Sequence, residues 1–425
     1  MPAADLQATF QQALALHQQG RLADAERLYA EILARQPDHF DALHLAGVAA
    51  AQSGRAARGV ELIERAIARD PIRAEAHANL GNALKALGNF DGALASYDRA
   101  IALKPDHVEA IYSRAALLAG LGRRGEAIAG FERAVALRPD LVNAHLQMGL
   151  ALLASVEPAR ALASFDKVAA LRPASGAAHA YRGDGLSDLG RYGEAVAAYD
   201  EALRRDSGLA EAHANRALAL VALGRCAEAL TGYDRALALR PDEASIHNNR
   251  GAALNELRRH EEAIASFDRA LALQPGYVPA HGNRGIALSV LRRHDEALAS
   301  YERAIALDPG YADAHYNRGS VLLLLKRYSE AARAFGAARA ARPDCPYARG
   351  YELMSRLQVC DWRDLDTAVS AVTEGVRAGR RVISSFPFLA VSSSVEDQRA
   401  CAAVYAAHKY PSGPALWRGE RYRHD

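Results

Sequence analysis

Few of the residues that staple small domains or build reactive centres are present in this 425-residue sequence. The four cysteines, Cys226, Cys345, Cys360 and Cys401, lie far apart, with no Cys-x-x-Cys and no metal-ligand spacing. That argues against a disulfide framework and a zinc centre, and reduced, mostly buried thiols are expected. Charge of one sign is also missing: 52 Lys+Arg stand against 50 Asp+Glu, a formal net charge of +2. A phosphate backbone as main partner would call for a basic excess, so no nucleic acid is expected. No run approaches the ~18 apolar residues that a membrane span needs. The opening MPAADLQATFQQALALHQQG lacks a basic n-region and an apolar core, so it does not read as a secretory signal, and a cytoplasmic, membrane-free location is expected. No Gly-rich phosphate loop, paired carboxylates or nucleophile–base set occurs. Catalytic residues, metal and cofactors are therefore expected to be absent, and the chain as it stands is not expected to be an enzyme.

What is present is alanine and a period. Half the residues are apolar but only 7% are aromatic. Small side chains and high helix propensity point to closely packed helices. Pro37, Pro71, Pro105, Pro139 and Pro173 are 34 residues apart; the series skips at Ser207 and resumes at Pro241, Pro275, Pro309 and Pro343. Ten units follow, from Leu6 to Cys345, without insertion or deletion. Each reads as two helices around a short break. In the unit from Ala74 to His107 the first helix is AEAHANLGNALKAL, the break is Gly88-Asn89, and the second helix is FDGALASYDRAIAL. Gly recurs at the break (Gly20, Gly54, Gly88, Gly122, Gly190, Gly224), where a left-handed residue ends a helix. Arg258, Arg292 and Lys326 stand there in units eight to ten and imply modest local strain.

Packing positions repeat as well. The first helices carry Gly47, Gly81, Gly149, Gly183, Gly251, Gly285 and Gly319, with Ala13, Ala115 and Ala217 in the remaining units. The second helices carry a ring or large aliphatic: Tyr29, Ile63, Tyr97, Phe131, Phe165, Tyr199, Tyr233, Phe267, Tyr301 and Phe335. Small residues admit the neighbouring helix, and the ring fills the space beside them. This small–aromatic–small–Pro pattern on a 34-residue hairpin resembles the tetratricopeptide repeat (TPR). The resemblance covers about four-fifths of the chain. It departs from the family pattern in having His or another residue where Trp is often found, and Leu (Leu84, Leu118, Leu152, Leu186) where Tyr is common. It implies an all-α, right-handed superhelix (an α-solenoid) of ten helix-turn-helix repeats over residues 6–345, after a short lead at 1–5. It also implies that the first helix of each unit lines a concave groove.

One position of that face reads Gln11, Leu45, Asn79, Ser113, Gln147, Tyr181, Asn215, Asn249, Asn283, Asn317. Asn is a poor helix former, so its retention in four consecutive units points to use. A carboxamide offers donors and an acceptor and can hold the main chain of an extended peptide whatever its side chains. Asn79, Asn215, Asn249, Asn283 and Asn317 are the candidate peptide-binding residues; solvated or helix–helix hydrogen-bonding asparagines are the alternative. The surrounding face is small and neutral (Ala78, Ala116, Ala214, Ala252, Gly282, Ser289), which leaves room for a guest. No Lys/Asn set fits the carboxylate clamp of some family members. A His series (His77, His145, His179, His213, His247, His281, His315) is spaced too widely to share a metal. An Arg series (Arg114, Arg182, Arg216, Arg250, Arg284, Arg318) is read as inter-helix pairing with the acidic residue that follows each ring rather than as a basic stripe.

Periodicity stops at Pro346. The last eighty residues are expected to hold two or three helices, a Pro-containing loop around Ser385–Phe388 and an irregular basic end. Cys360-Asp361-Trp362, the run from Gly379 to Leu389 and the ending Leu416–Asp425 resemble the stretch that joins repeats to catalytic region in bacterial protein O-GlcNAc transferases of the SPINDLY-like kind. The resemblance implies that residues 346–425 lead toward a UDP-sugar-dependent glycosyltransferase domain beyond Asp425. Two functions follow as expectations: a scaffold for extended polypeptides, or the substrate-recruiting part of such a transferase. Partners are expected to be other proteins, with a second copy of the chain or a separate glycosyltransferase chain as further candidates.

Overall fold

A computed structural model describes residues 3–409, and those residues form 24 helices joined by turns. They fall into two compact units, divided between Ala212 and His213. The first holds six helical hairpins: Ala3–Gln18 with Leu22–Arg35, Phe40–Gln52 with Ala56–Arg69, Ala74–Ala86 with Phe90–Leu103, Val108–Gly120 with Arg124–Leu137, Val142–Ala154 with Pro158–Leu171, and Gly176–Asp188 with Tyr192–Arg205. In the second, helix Cys226–Leu239 follows Ala210–Ala222, the helix in which the division falls. Ala244–Glu256 with His260–Leu273, Val278–Val290 with His294–Leu307, and Ala312–Leu324 with Tyr328–Ala341 complete its hairpins. The expected all-α class, a solenoid of helix-turn-helix repeats, holds in each unit.

The break between helices depends on one left-handed residue. Gly88 has φ +78°, and the Asn89 N–H reaches back to the Leu84 carbonyl at 3.0 Å. Arg258 keeps the same geometry, with φ +60° and a 2.9 Å bond from the Arg259 N–H to the Leu254 carbonyl. Arg292 and Lys326 do likewise, and a Cβ in that region costs about 1 kcal/mol.

Close approach explains the glycines at the crossing position of the first helices. A Cβ on Gly81 would lie 2.6 Å from the Tyr97 ring, one on Gly149 2.5 Å from Phe165, and one on Gly285 2.5 Å from Tyr301. Each ring thus rests on the glycine of its own hairpin, fully buried, and contributes roughly 1.5–3 kcal/mol by burial. Phe165 also stacks on Tyr181 of the next hairpin, with centroids 5.7 Å apart. Where the first helix carries Ala115 or Ala217, the second carries glycine one residue before the ring. A Cβ on Gly130 would meet that of Ala115 at 2.7 Å, and one on Gly232 would meet that of Ala217 at 3.0 Å. The small residue has changed helices, and the crossing stays tight.

Stacking continues one helix past the last hairpin. Helix Ala348–Leu357 packs on Tyr328–Ala341, and Tyr351 stacks on Phe335 at 5.3 Å. Helices Leu365–Arg377, Ser385–Phe388 and Val395–Lys409 follow. Leu353, Val372, Val376, Ile383, Phe388 and Cys401 form their core. The strap carrying Val382 and Ile383 fits because Gly350 and Gly375 lack side chains; a Cβ on either would come within 2.7 Å of it. The expected loop at Ser385–Phe388 is instead one helical turn. Pro387 sits where no helical N–H is needed, and burial of Phe388 holds the turn down. Cys226, Cys345 and Cys401 are buried thiols, whereas Cys360 is exposed. The run Leu416–Asp425 lies outside the described residues.

Candidate polypeptide-binding face

Asn79, Asn215, Asn249, Asn283 and Asn317 all lie on first helices and all are half-buried. Two are tied to the preceding hairpin. Asn79 Nδ2 lies 2.9 Å from His44 Nε2, and Asn283 Nδ2 donates to Asn248 Oδ1 at 3.0 Å. Asn248 Nδ2 in turn donates to Asn249 Oδ1 at 3.1 Å. The helix–helix alternative weighed for these asparagines therefore describes Asn79 and Asn283 in part. Unused groups remain: the Asn249 amide, the Asn283 carbonyl, and the whole Asn317 carboxamide, which has no hydrogen-bond partner among the described residues.

Three and seven residues beyond an asparagine lie on the same helical stripe. In the second unit four of these eight positions carry large exposed aliphatics: Leu218 (49% exposed) after Asn215, Ile286 and Val290 (36% and 53%) after Asn283, and Leu324 (68%) after Asn317. The first unit differs. Asn79 opens onto a polar cleft of about 300 Å³ lined by Glu75, Asn82, Lys104, His107 and Ser113 among others. Asn82 Oδ1 accepts the Tyr97 hydroxyl at 2.7 Å, and desolvation pushes that phenol up to about 12.

The Arg series pairs as the sequence implied. Arg114 meets Asp98 at 2.7 Å, Arg182 meets Asp166 at 2.6 Å, Arg250 meets Asp234 at 2.7 Å and Arg284 meets Asp268 at 2.6 Å, each joining the first helix of one hairpin to the second helix of the hairpin before it. Arg250 and Arg284 also donate to Ser266 and Ser300 at 2.8 Å. The His series has a role the sequence reading missed. Nε2 of His77, His145, His247 and His315 bonds the carbonyl of the proline six residues earlier, at 2.9–3.0 Å. Each imidazole fastens the turn that enters its hairpin. The constant six-residue offset was the available signal.

The described residues contain no group of His, Cys, Asp and Glu able to hold a metal ion, and no helix long and apolar enough to cross a membrane. Tandem helical hairpins with a repeating carboxamide face define a helical-repeat protein. The family model described as Tetratricopeptide repeat matches residues 10–74, 146–210, 214–278 and 283–350, and a second of that description matches 74–107. The chain belongs to the tetratricopeptide repeat family, whose members bind other proteins or peptides. No curated protein matches it. Among solved structures, one described as YrrB, a TPR protein with an unusual peptide-binding site, is 25% identical. That match covers 43% of this chain and 93% of the other, with TM-score 0.37. Yeast Tom70 is 14% identical over 96% of each chain, with TM-score 0.44. A tetratricopeptide repeat protein from Parabacteroides merdae is 18% identical over 59% of this chain and 98% of its own, with TM-score 0.45.

Proposed function

We propose that this protein is an interaction scaffold that receives extended polypeptide segments along its asparagine-lined face. Asn215, Asn249, Asn283 and Asn317 form the main track, and Asn79 opens a more polar one. The observation that carries this reading is the combination of unused carboxamide groups with exposed aliphatics on the same stripe. Carboxamides can hold a guest's main chain, while Leu218, Ile286, Val290 and Leu324 can cover its apolar side chains. The test replaces Asn215, Asn249, Asn283 and Asn317 by Ala and compares proteins captured from lysate, with circular dichroism as control. The reading requires loss of captured partners at unchanged helicity; an unchanged capture profile overturns it.

A second reading has its own support. In the segment resembling the linker of SPINDLY-like transferases, Phe386 is 84% exposed and Leu389 is 56% exposed, whereas Phe388 is buried. Two uncovered apolar side chains one helical turn apart suit a neighbouring glycosyltransferase domain, in the same polypeptide or in a separate one. The intact mass of the native protein decides between these forms. A mass near the 45.6 kDa of this sequence means that any glycosyl transfer is supplied by another chain; a much larger mass means that the repeats are the recruiting arm of one transferase.

A further inference from the structure

Beyond the asparagine face, the end of the second unit holds three arginines without partners. The turn Pro343–Cys345, helix Ala348–Leu357 and the strap Gly379–Val382 enclose a cleft of about 360 Å³. Arg349, Arg380 and Arg381 line it, and none of their guanidinium groups makes an ion pair or hydrogen bond among the described residues. Asp344 is the one carboxylate on its wall. The other arginines nearby are occupied: Arg339 holds Glu352 at 2.9 Å and Arg342 holds Asp313 at 2.5 Å.

The strap is fastened through its main chain, which leaves its side chains available. The Arg381 carbonyl accepts the Tyr347 N–H at 2.6 Å, the Val382 carbonyl accepts the Gly350 N–H at 2.8 Å, and the Arg380 N–H donates to the Gly375 carbonyl at 2.9 Å. Arg349 is half-buried, and desolvation, then the charges of Arg339 and Arg380, lower its guanidinium from the ordinary value. Glu352 opposes these effects only in part, being itself paired with Arg339, so a partly desolvated cation remains without a hydrogen-bonded counter-ion, and an oxyanion in the cleft would offset that cost. Guanidinium forks match the oxygens of phosphate, and three arginines line this cleft beside one carboxylate.

We propose that this cleft binds the phosphate group of a small molecule, with Arg349 at its base and Arg380 and Arg381 at its rim. Its volume exceeds that of phosphate alone, which leaves room for an organic remainder. The site is separate from the asparagine column, so either proposal can fail without the other.

The experiment is calorimetric titration of the full chain, at constant ionic strength, with inorganic phosphate, phenyl phosphate and, as control, chloride. Saturable binding of a phosphate compound that falls on the order of tenfold or more in Arg349→Gln, and is unchanged in the distant surface variant Arg292→Gln, supports the site. Tighter binding of phenyl phosphate identifies a monoester as the ligand class; equal or weaker binding identifies free phosphate. Absence of saturation, or equal affinity in Arg349→Gln, overturns the proposal. Loss of a half-buried cation that makes no hydrogen bond should not unfold the chain, and an unchanged thermal midpoint of Arg349→Gln keeps the comparison valid.

Discussion

Asn79 Nδ2 lies 2.9 Å from His44 Nε2, so the imidazole accepts through that nitrogen and is neutral with its proton on Nδ1. His44 is 8% exposed. Burial holds its folded-state pKa below the ordinary 6.5, against smaller opposing effects of Asp41 and Glu75. The unfolded chain therefore takes up the proton first as pH falls. The stabilisation is complete above about 6.5 and is lost as pH drops through the lower folded value. Urea unfolding on either side of that window should show a larger loss at acid pH for wild type than for His44→Gln. Equal losses would remove His44 as the source.

Exchange of the small residue between helices gives a double-mutant test. Gly130→Ala places a methyl 2.7 Å from that of Ala115 and should destabilise by roughly 1–3 kcal/mol. Adding Ala115→Gly should recover most of that loss, because the pair is in contact. Denaturation of the four proteins of the cycle measures the coupling, and simple additivity would contradict the packing described.

The asparagines should separate by role. Asn283→Ala removes the bond to Asn248 and should cost about 1 kcal/mol of stability. Asn317→Ala removes no internal bond and should leave stability within about 0.5 kcal/mol of wild type. Both should weaken capture of partner polypeptides. A stability loss for Asn317→Ala equal to that of Asn283→Ala would mean that Asn317 has a structural partner after all.

Exposed ion pairs of the hairpins should matter little one at a time. Asp268→Asn, which breaks the pair with Arg284, should cost no more than about 1 kcal/mol, and less in high salt. A salt-independent loss of several kcal/mol would contradict the exposed-pair account of Asp268 and Arg284.

Most of the hairpin architecture was legible because it rests on identical contacts at identical spacing. Gly81 with Tyr97 and Gly285 with Tyr301 are the same contact six units apart, and the Arg–acid pairs obey one offset throughout. The partners of the asparagines were harder to read. His44 and Asn248 occupy a position that elsewhere carries Ala78, Tyr112 and Leu146, so no series announces them. Residues beyond Pro346 have no repeat to average over. There a single proline, Pro387, was read as a loop, although burial of the adjacent Phe388 supports a helical turn.

Strict 34-residue spacing has a consequence for changes in length. Most hairpins within a unit reuse the same ring on a small residue, the same proline turn and the same Arg–acid link to the hairpin before. Duplication or loss of one whole repeat would therefore re-create interfaces already present and leave the reading frame of contacts intact. One extra residue inside a helix would instead turn everything after it by about 100° about the axis. Rings would then face solvent, and carboxamides would face the core. Such a chain can lengthen or shorten in whole steps, and intermediate lengths are selected against by geometry alone.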